Sequence, residues 1–191
     1  MGKLYLKTPA TLLPLTLAEV KVQLREVETD QDTLITGMIE AETQECEGIL
    51  HRSIMPATWV WSADEFPCGP IIIPMPARAI SSVKYYDAAL TQQTLAPTTG
   101  WDSSTAEDYR ALVFPAGTQS WPTTGARPGG VQVEFTAGWV DAASVPRVIK
   151  NWILLRVGAY FLHRESWTYS QIIARNEHID RMLDRWVVPF V

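Results

Sequence analysis

Apolar residues recur at helical spacing towards both ends of the chain and alternate with polar ones through its middle, so the period of the pattern divides the sequence. Residues Met1–Leu13 read as an extended arm. Leu17, Val20 and Leu24 then share one face of a helix over 16–26. Thr16 and Glu19 have the spacing of a capping box, in which each side chain satisfies the other's backbone N–H. The polar segment Glu26–Thr29 breaks the pattern, and Asp30 is placed to cap a second helix over 30–51. Its expected buried stripe is Leu34, Ile35, Met38, Ile39, Cys46, Ile49 and Leu50, with Glu40, Glu42, Glu45 and Glu47 on solvated faces.

From Ile54 the texture becomes that of strands, which continue to residue 136. Thr58–Ser62, Pro70–Ile73, Ile80–Asp87, Arg110–Phe114 and Val131–Thr136 are short β-branched or aromatic runs between turn residues. Val131, Val133 and Phe135 alternate with Gln132 and Glu134, the signature of a half-buried strand. Prolines crowd this region (Pro56, Pro67, Pro70, Pro74, Pro76, Pro97, Pro115, Pro122, Pro128). A proline cannot donate a ladder hydrogen bond, so these mark strand ends and edges. Pro115–Gly130, rich in glycine and proline, reads as a long exposed loop.

Helical spacing returns over 144–164, with Ser144 as N-cap and Pro146 in the first turn, where its missing N–H costs little. Val145, Val148, Trp152, Leu155, Ala159 and Leu162 make one apolar face. The other face holds Arg147, Lys150 and Asn151, but also Leu154, Gly158 and Phe161. A helix apolar on two sides needs two neighbours, the second being either the final helix or another subunit. That final helix spans Gln171–Val187, with Ile172, Ile179, Met182, Leu183 and Trp186 on one side and a Glu177–Arg181 pair on the other. The chain ends Trp186-Val187-Val188-Pro189-Phe190-Val191, an apolar terminus that calls for a partner in its own core or in another protein. The order of elements gives an α+β fold: an N-terminal helix pair, a central short-stranded and mainly antiparallel sheet, two C-terminal helices and an apolar tail. Residues 1–164 read as the main domain and 165–191 as an appended helix and tail.

Composition narrows the function classes. The 191 residues suffice for one core without disulfides or metals. Charged residues are only 19% and tryptophans number 8, which leaves apolar surface to spare and makes self-association a live idea. A net charge of −5 with no Lys/Arg cluster argues against a phosphate-gripping surface. Cys46 and Cys68 lack metal spacing, and Cys46 falls on an apolar helix face as a buried thiol, which suits a reducing compartment. Leu12–Leu17 is too short and too interrupted for a signal peptide, and Val148–Leu162 is broken by Lys150, Asn151 and Arg156, so synthesis in the cytosol without membrane insertion is expected.

A search for chemistry returns no catalytic, cofactor or metal-ligating set. The chain has no GxxxxGK[ST], GxGxxG, HExxH, CxxC or GxSxG. His51 sits at a helix end, His163 shares a face with Arg156, and His178 lies on a polar face. His163-Arg164-Glu165 suggests a base with an orienting carboxylate, but adjacent helical residues do not converge on one point. Asp64-Glu65 and Glu107-Asp108 stand in polar, turn-rich surroundings where raised pKa values are not expected. Gly129-Gly130 reads as a turn.

Three segments, in order and spacing, together resemble the head–tail connector (adaptor) proteins of long-tailed bacteriophages and related prophage-derived particles. The first is Leu15-Thr16-Leu17-Ala18-Glu19-Val20-Lys21 through Leu24-Arg25, followed by Asp30–Ala41 and the end Leu50-His51-Arg52. The second is Ile73-Pro74-Met75-Pro76-Ala77-Arg78-Ala79-Ile80 leading into Val83–Asp87. The third is Arg127–Trp139 followed by Val145-Pro146 and Arg147–Leu155. The resemblance covers Leu15 to about Arg164 and weakens after Glu165.

It implies a structural protein and no enzyme: a ring, usually twelve-fold, beneath the portal protein, extending the DNA channel and presenting the attachment surface for a downstream stopper or tail protein. DNA would pass without specific binding, and the mature location would be the head–tail interface of the virion. Trp186, Val187, Val188, Phe190 and Val191 are the portal-docking residues this implies, and Leu154, Gly158 and Phe161 the subunit-interface residues. The other readings are a pocket-containing α+β enzyme or ligand-binding domain, and a stopper or tail-completion protein of the same particle.

Overall fold

The computed structural model describes residues 2–162, 179 and 181–189. The described elements are α+β, as the sequence pattern implies, and they divide into a strand unit and a helical unit.

The strand unit is formed chiefly by Pro56–Gly138 together with the N-terminal arm. Its larger sheet has the order β1(Lys3–Thr8), β2(Ala57–Ala63), β8(Val131–Ala137), β4(Ala77–Tyr86), β5(Gln92–Leu95). Every neighbouring pair is antiparallel. The smaller sheet has the order β3(Ile71–Ile73), β7(Ala111–Pro115), β6(Trp101–Ser104), also antiparallel. The two sheets enclose one core. Val131, Val133 and Phe135 are wholly buried, joined by Trp61 and Val83 from the same sheet and by Ile71, Ile73, Ala111, Val113 and Trp101 from the other. The alternation read from the sequence is what makes this possible, since residues two apart share a face.

Proline punctuation holds throughout. Pro56, Pro70 and Pro76 stand immediately before β2, β3 and β4, and Pro115 closes β7. The turn at Gly129-Gly130 is also as expected. Gly129 has φ +66 in the left-handed region and donates its N–H to Asp64 Oδ1 at 2.8 Å, while a Cβ on Gly130 would lie 2.5 Å from the Asp64 carbonyl oxygen.

Three strands go beyond the sequence reading. The N-terminal arm is not merely extended but pairs with β2 over Lys3–Thr8. β5 follows β4 through a tight turn in which the Asp87 carboxylate accepts from the N–H groups of Ala89 and Thr91 and from the Gln93 amide. These bonds hold its carboxyl below the usual range, Gln93 contributing most. β6 is short, and Trp101 anchors it in the core. The expected loop Pro115–Gly130 lacks regular structure after Pro115 but is not simply a free loop, because Trp121 stacks on Phe66 with ring centroids 4.6 Å apart.

The helical unit comprises Leu12–Met55 and Trp139–Val187. Its helices are α1(Leu17–Leu24), α2(Asp32–Leu50) and α3(Arg147–Leu162). The capping box forms as the sequence predicts: Thr16 Oγ1 accepts from Glu19 N–H at 3.2 Å, and Glu19 Oε2 accepts from Thr16 N–H at 2.8 Å. Asp30 does not cap α2. Gln31 is the N-cap and makes no side-chain cap bond, while Lys21 Nζ reaches Asp32 Oδ1 at 2.6 Å and so ties α1 to the start of α2. His51 closes α2 in the left-handed conformation and donates its N–H to the Glu47 carbonyl.

The buried stripe of α2 is Ile35, Met38, Ile39, Glu42, Thr43, Cys46 and Leu50. Leu34 and Ile49, expected inside, are exposed. Glu42, expected outside, is buried because Arg156 of α3 pairs with it. Burial pushes the Cys46 thiol up to about 12, so it stays protonated as an inert core group.

α3 is turned about its axis relative to the sequence expectation. Ile149, Trp152, Ile153 and Val157 face inward, whereas Val148, Leu155, Ala159 and Leu162 are exposed. Ser144 does not cap it either: its N–H and hydroxyl both donate to Asp141 Oδ1 at 2.7 Å, and the Pro146 carbonyl accepts the first helical N–H groups, those of Ile149 and Lys150. The expected final helix lies largely outside the described residues, as do His163, His178 and the Glu177 of its expected pair. Within it, Ile179 and Arg181 are helical, but Asp184–Trp186 is a 3-10 turn, so the helix ends before the expected Val187.

The strand core makes a quantitative expectation. Phe135→Ala removes a wholly buried ring from a strand paired on both edges and should cost about 3–5 kcal/mol, read as a lower urea midpoint with an unchanged slope.

Candidate functional site

The residues singled out for assembly lie on α3 and at the C-terminus. Leu154, Gly158 and Phe161 are half-buried. A Cβ added at Gly158 would meet nothing within 4 Å, so the space beside it is open. The most exposed large apolar positions on the helix are others: Leu162 at 77% and Tyr160 at 53%, then Val148 and Leu155 each at 39%. Helical spacing alone could not say which of the two apolar faces would turn inward. The pairing of exposed Arg156 with the buried Glu42 carboxylate at 3.0 Å, with Ile149, Trp152, Ile153 and Val157, decides it.

At the C-terminus, Trp186 meets Trp139 edge to face, with centroids 6.0 Å apart and an interplanar angle of 72°. The guanidinium of Arg52 lies 4.5 Å from the centroid of the Trp139 ring, a contact worth about 0.5–2 kcal/mol. The Trp139 N–H donates to the Ile54 carbonyl at 3.0 Å. Leu50-His51-Arg52 and Gly138-Trp139, far apart in sequence, therefore meet through Arg52 and Trp139. Val187 is half-buried and Val188 is 2% exposed. Phe190 and Val191 lie outside the described residues. The Arg52–Trp139–Trp186 column was not foreseen, although Arg52 and Trp139 each stand at the end of a segment that carries the resemblance.

Glu47 braces the chain just after α2. Its Oε1 accepts from the Ile54 N–H at 2.6 Å. Burial pushes its carboxyl above the usual carboxylate range, against the downward pull of the Ile54 and Met55 N–H groups.

The strand unit carries a cleft of about 560 Å³ beside the Phe66–Trp121 stack. Its only ionisable lining groups are Glu65 and Cys68, which supply no acid–base pair. A neighbouring cleft of about 420 Å³ is bordered by Asp64, Glu65 and Arg127, with Asp64 engaged by Gly129 and Arg127 lying 3.9 Å over the Tyr86 ring. Glu107 pairs with Arg110 at 2.6 Å, and that hydrogen bond holds its carboxyl low. Among the described residues no three His, Cys, Asp or Glu side chains gather to hold a metal ion, and no helix is long and apolar enough to cross a membrane.

No protein-family model matches the chain, and no curated protein sequence does. Solved structures do. The chain superimposes with a TM-score of 0.80 at 18% identity on a chain from the neck of an empty gene transfer agent particle computed with C6 symmetry, covering 99% of this chain and 97% of that one. Against a chain of the native gene transfer agent virion the TM-score is 0.76 at 18% identity, covering 98% and 96%. For a chain from the native particle's neck computed with C12 symmetry it is 0.73 at 19% identity, covering 100% and 97%. The chain thus has the fold of these proteins along essentially its whole length.

Two expectations follow from the helical unit. Because folded Glu47 binds its proton more tightly than the unfolded chain does, its contribution to stability is full below the ordinary glutamate pKa and is lost as pH rises through the raised folded value. Relative to the wild type, Glu47→Gln should therefore gain stability as pH rises from about 4 to about 7, read by urea unfolding at several pH values. Arg156→Ala leaves the buried Glu42 carboxylate without its cation and should cost about 1–3 kcal/mol, more than Glu42→Gln, in the same assay.

Proposed function

We propose that this protein is a structural component of the neck of a phage-like particle, the adaptor that joins head to tail. One observation carries the reading: a TM-score of 0.73–0.80 across nearly the full length of chains from gene transfer agent necks and virion. The three sequence segments that resemble head–tail adaptors lie within that same fold. An enzymatic role lacks a comparable foothold, because neither cleft brings an acid, a base and a nucleophile together.

In this reading copies of the chain form a ring beneath the portal, twelve-fold by the resemblance, which extends the DNA channel and offers its lower face to a stopper or tail protein. An acidic chain of net charge −5 suits a conduit along which DNA moves without being held. The C-terminal residues Trp186, Val187, Val188, Phe190 and Val191 are the portal-docking segment. Since Trp186 already contacts Trp139 and Val188 is buried, docking exchanges contacts within the chain for contacts with the portal. In this reading the protein is made in the cytoplasm and ends at the head–tail junction of the particle.

The test is capture of the full-length chain on the portal ring encoded by the same genome, followed by electron microscopy. A ring of added density under the portal, lost when residues 186–191 are deleted, is the expected result. A compact monomer that never binds the portal would overturn the adaptor reading in favour of a ligand-binding domain.

A further inference from the structure

α3 buries Ile149, Trp152, Ile153 and Val157 on its inner face and still presents a second one. Val148, Leu155 and Leu162 repeat every seven residues, and Asn151 and Gly158 fall between them at alternating steps of three and four. That is the spacing of a helix seam built to receive another element. All three large residues are exposed, and Gly158 leaves open space where a side chain would stand. The other exposed apolar residues of the helical unit, such as Val22 and Val27 near the end of α1, form no comparable row on one helix.

Charge indicates what meets this seam. α3 carries Arg147, Lys150 and Arg156 and no carboxylate. α2 is its opposite, with Asp32, Glu40, Glu42, Glu45 and Glu47 and no Lys or Arg. Within one copy Glu42 and Arg156 already pair. Glu40 and Glu45 remain exposed, and they flank an outward strip of Gly37, Ala41 and Gly48, all exposed. A Cβ at Gly37 or Gly48 would meet nothing within 4 Å, so a neighbouring helix has room to approach.

We infer that the α3 seam of one copy packs against the outer face of α2 in the next copy, Val148, Leu155 and Leu162 lying along Ala41 between Glu40 and Glu45. The contact is heterologous, joining two different surfaces of the same chain, and a heterologous contact is what closes a ring of more than two members. It rests on the neck reading above and assigns that ring its seam. Of the three half-buried interface residues expected from sequence it retains Gly158, which falls within the seam spacing, and replaces Leu154 and Phe161, which do not.

The experiment uses full-length copies in a Cys68→Ser background, because Cys68 is exposed and Cys46 is buried. One population carries Leu155→Cys and the other Ala41→Cys, and the two are mixed, assembled on the portal ring and oxidised. A disulfide-linked dimer containing one copy of each kind is the expected product, and it cannot arise within a single chain. Dimers of Leu155→Cys with itself would overturn the heterologous seam. Intact rings without the mixed dimer would overturn the seam and leave the adaptor reading standing, whereas wild-type chains that form no ring would overturn both. As a second arm, the Cβ introduced by Gly158→Leu meets no described atom of its own chain within 4 Å. It should keep the wild-type thermal midpoint while losing the ring density. A Gly158→Leu ring indistinguishable from wild type would also overturn the seam.

Discussion

The strand unit depends on β8 being hydrogen-bonded along both edges. Seven residues, Val131–Ala137, pair with β2 on one side and β4 on the other. Their inward side chains, Val131, Val133, Phe135 and Ala137, are essentially without exposure. Because side chains alternate across a strand, this single register fixes which residues of β2 and β4 face the core. Trp61 and Val83 then lie opposite Val133, one on each side. A slip by one residue would turn Gln132 and Glu134 inward, with nothing there to satisfy them. The register shifts in the β4–β8 ladder fall at Ala77–Ala79 and Ile80–Ser82, so the Val83–Tyr85 end keeps the pairing that the core requires.

The helical unit rests on a different constraint. A carboxylate on α2 is buried only because a guanidinium on α3 reaches it, and the same contact orients α3 about its axis. Were α3 rotated to bury Val148 and Leu155, Arg156 would leave Glu42 and a charge would be stranded in the interior. Local polarity thus overrides the simplest reading of a two-faced helix. It also explains why a helix this apolar keeps hydrophobic residues on its outer side.

Much of the fold was legible in the sequence, for reasons particular to its residues. The capping box at Thr16 and Glu19, the alternation in Val131–Ala137 and the prolines before β2, β3 and β4 are local signals, and local signals survive without knowledge of the fold. What was not legible depends on distant partners. Lys3–Thr8 is a strand because β2 offers it an edge, and Gln92–Leu95 is one because the Asp87 turn folds it back on β4. Neither run has a strong alternation of its own. Glu42 looked like a surface residue until Arg156 was placed beside it across more than a hundred residues of sequence. The proposed assembly surfaces share this limitation. Their chemistry was visible as surplus apolar residues on α3 and at the C-terminus, but the division between inner and outer faces is a tertiary fact.

The same division bears on the order in which the proposed ring would form. The apolar C-terminus does not trail free in its described part: Trp186 meets Trp139, Arg52 covers the other ring, and Val188 is buried. A partner that recruits these residues gains only the difference between its own contacts and those already made within the chain. The outer seam of α3 has no such internal competitor among the described residues, but its three large side chains offer a modest apolar area. A weak contact of this kind gains strength when many copies are held side by side, since the second contact then forms at high effective concentration. The two surfaces therefore suit an order of events in which docking on a preformed ring aligns the copies and their seams close afterwards.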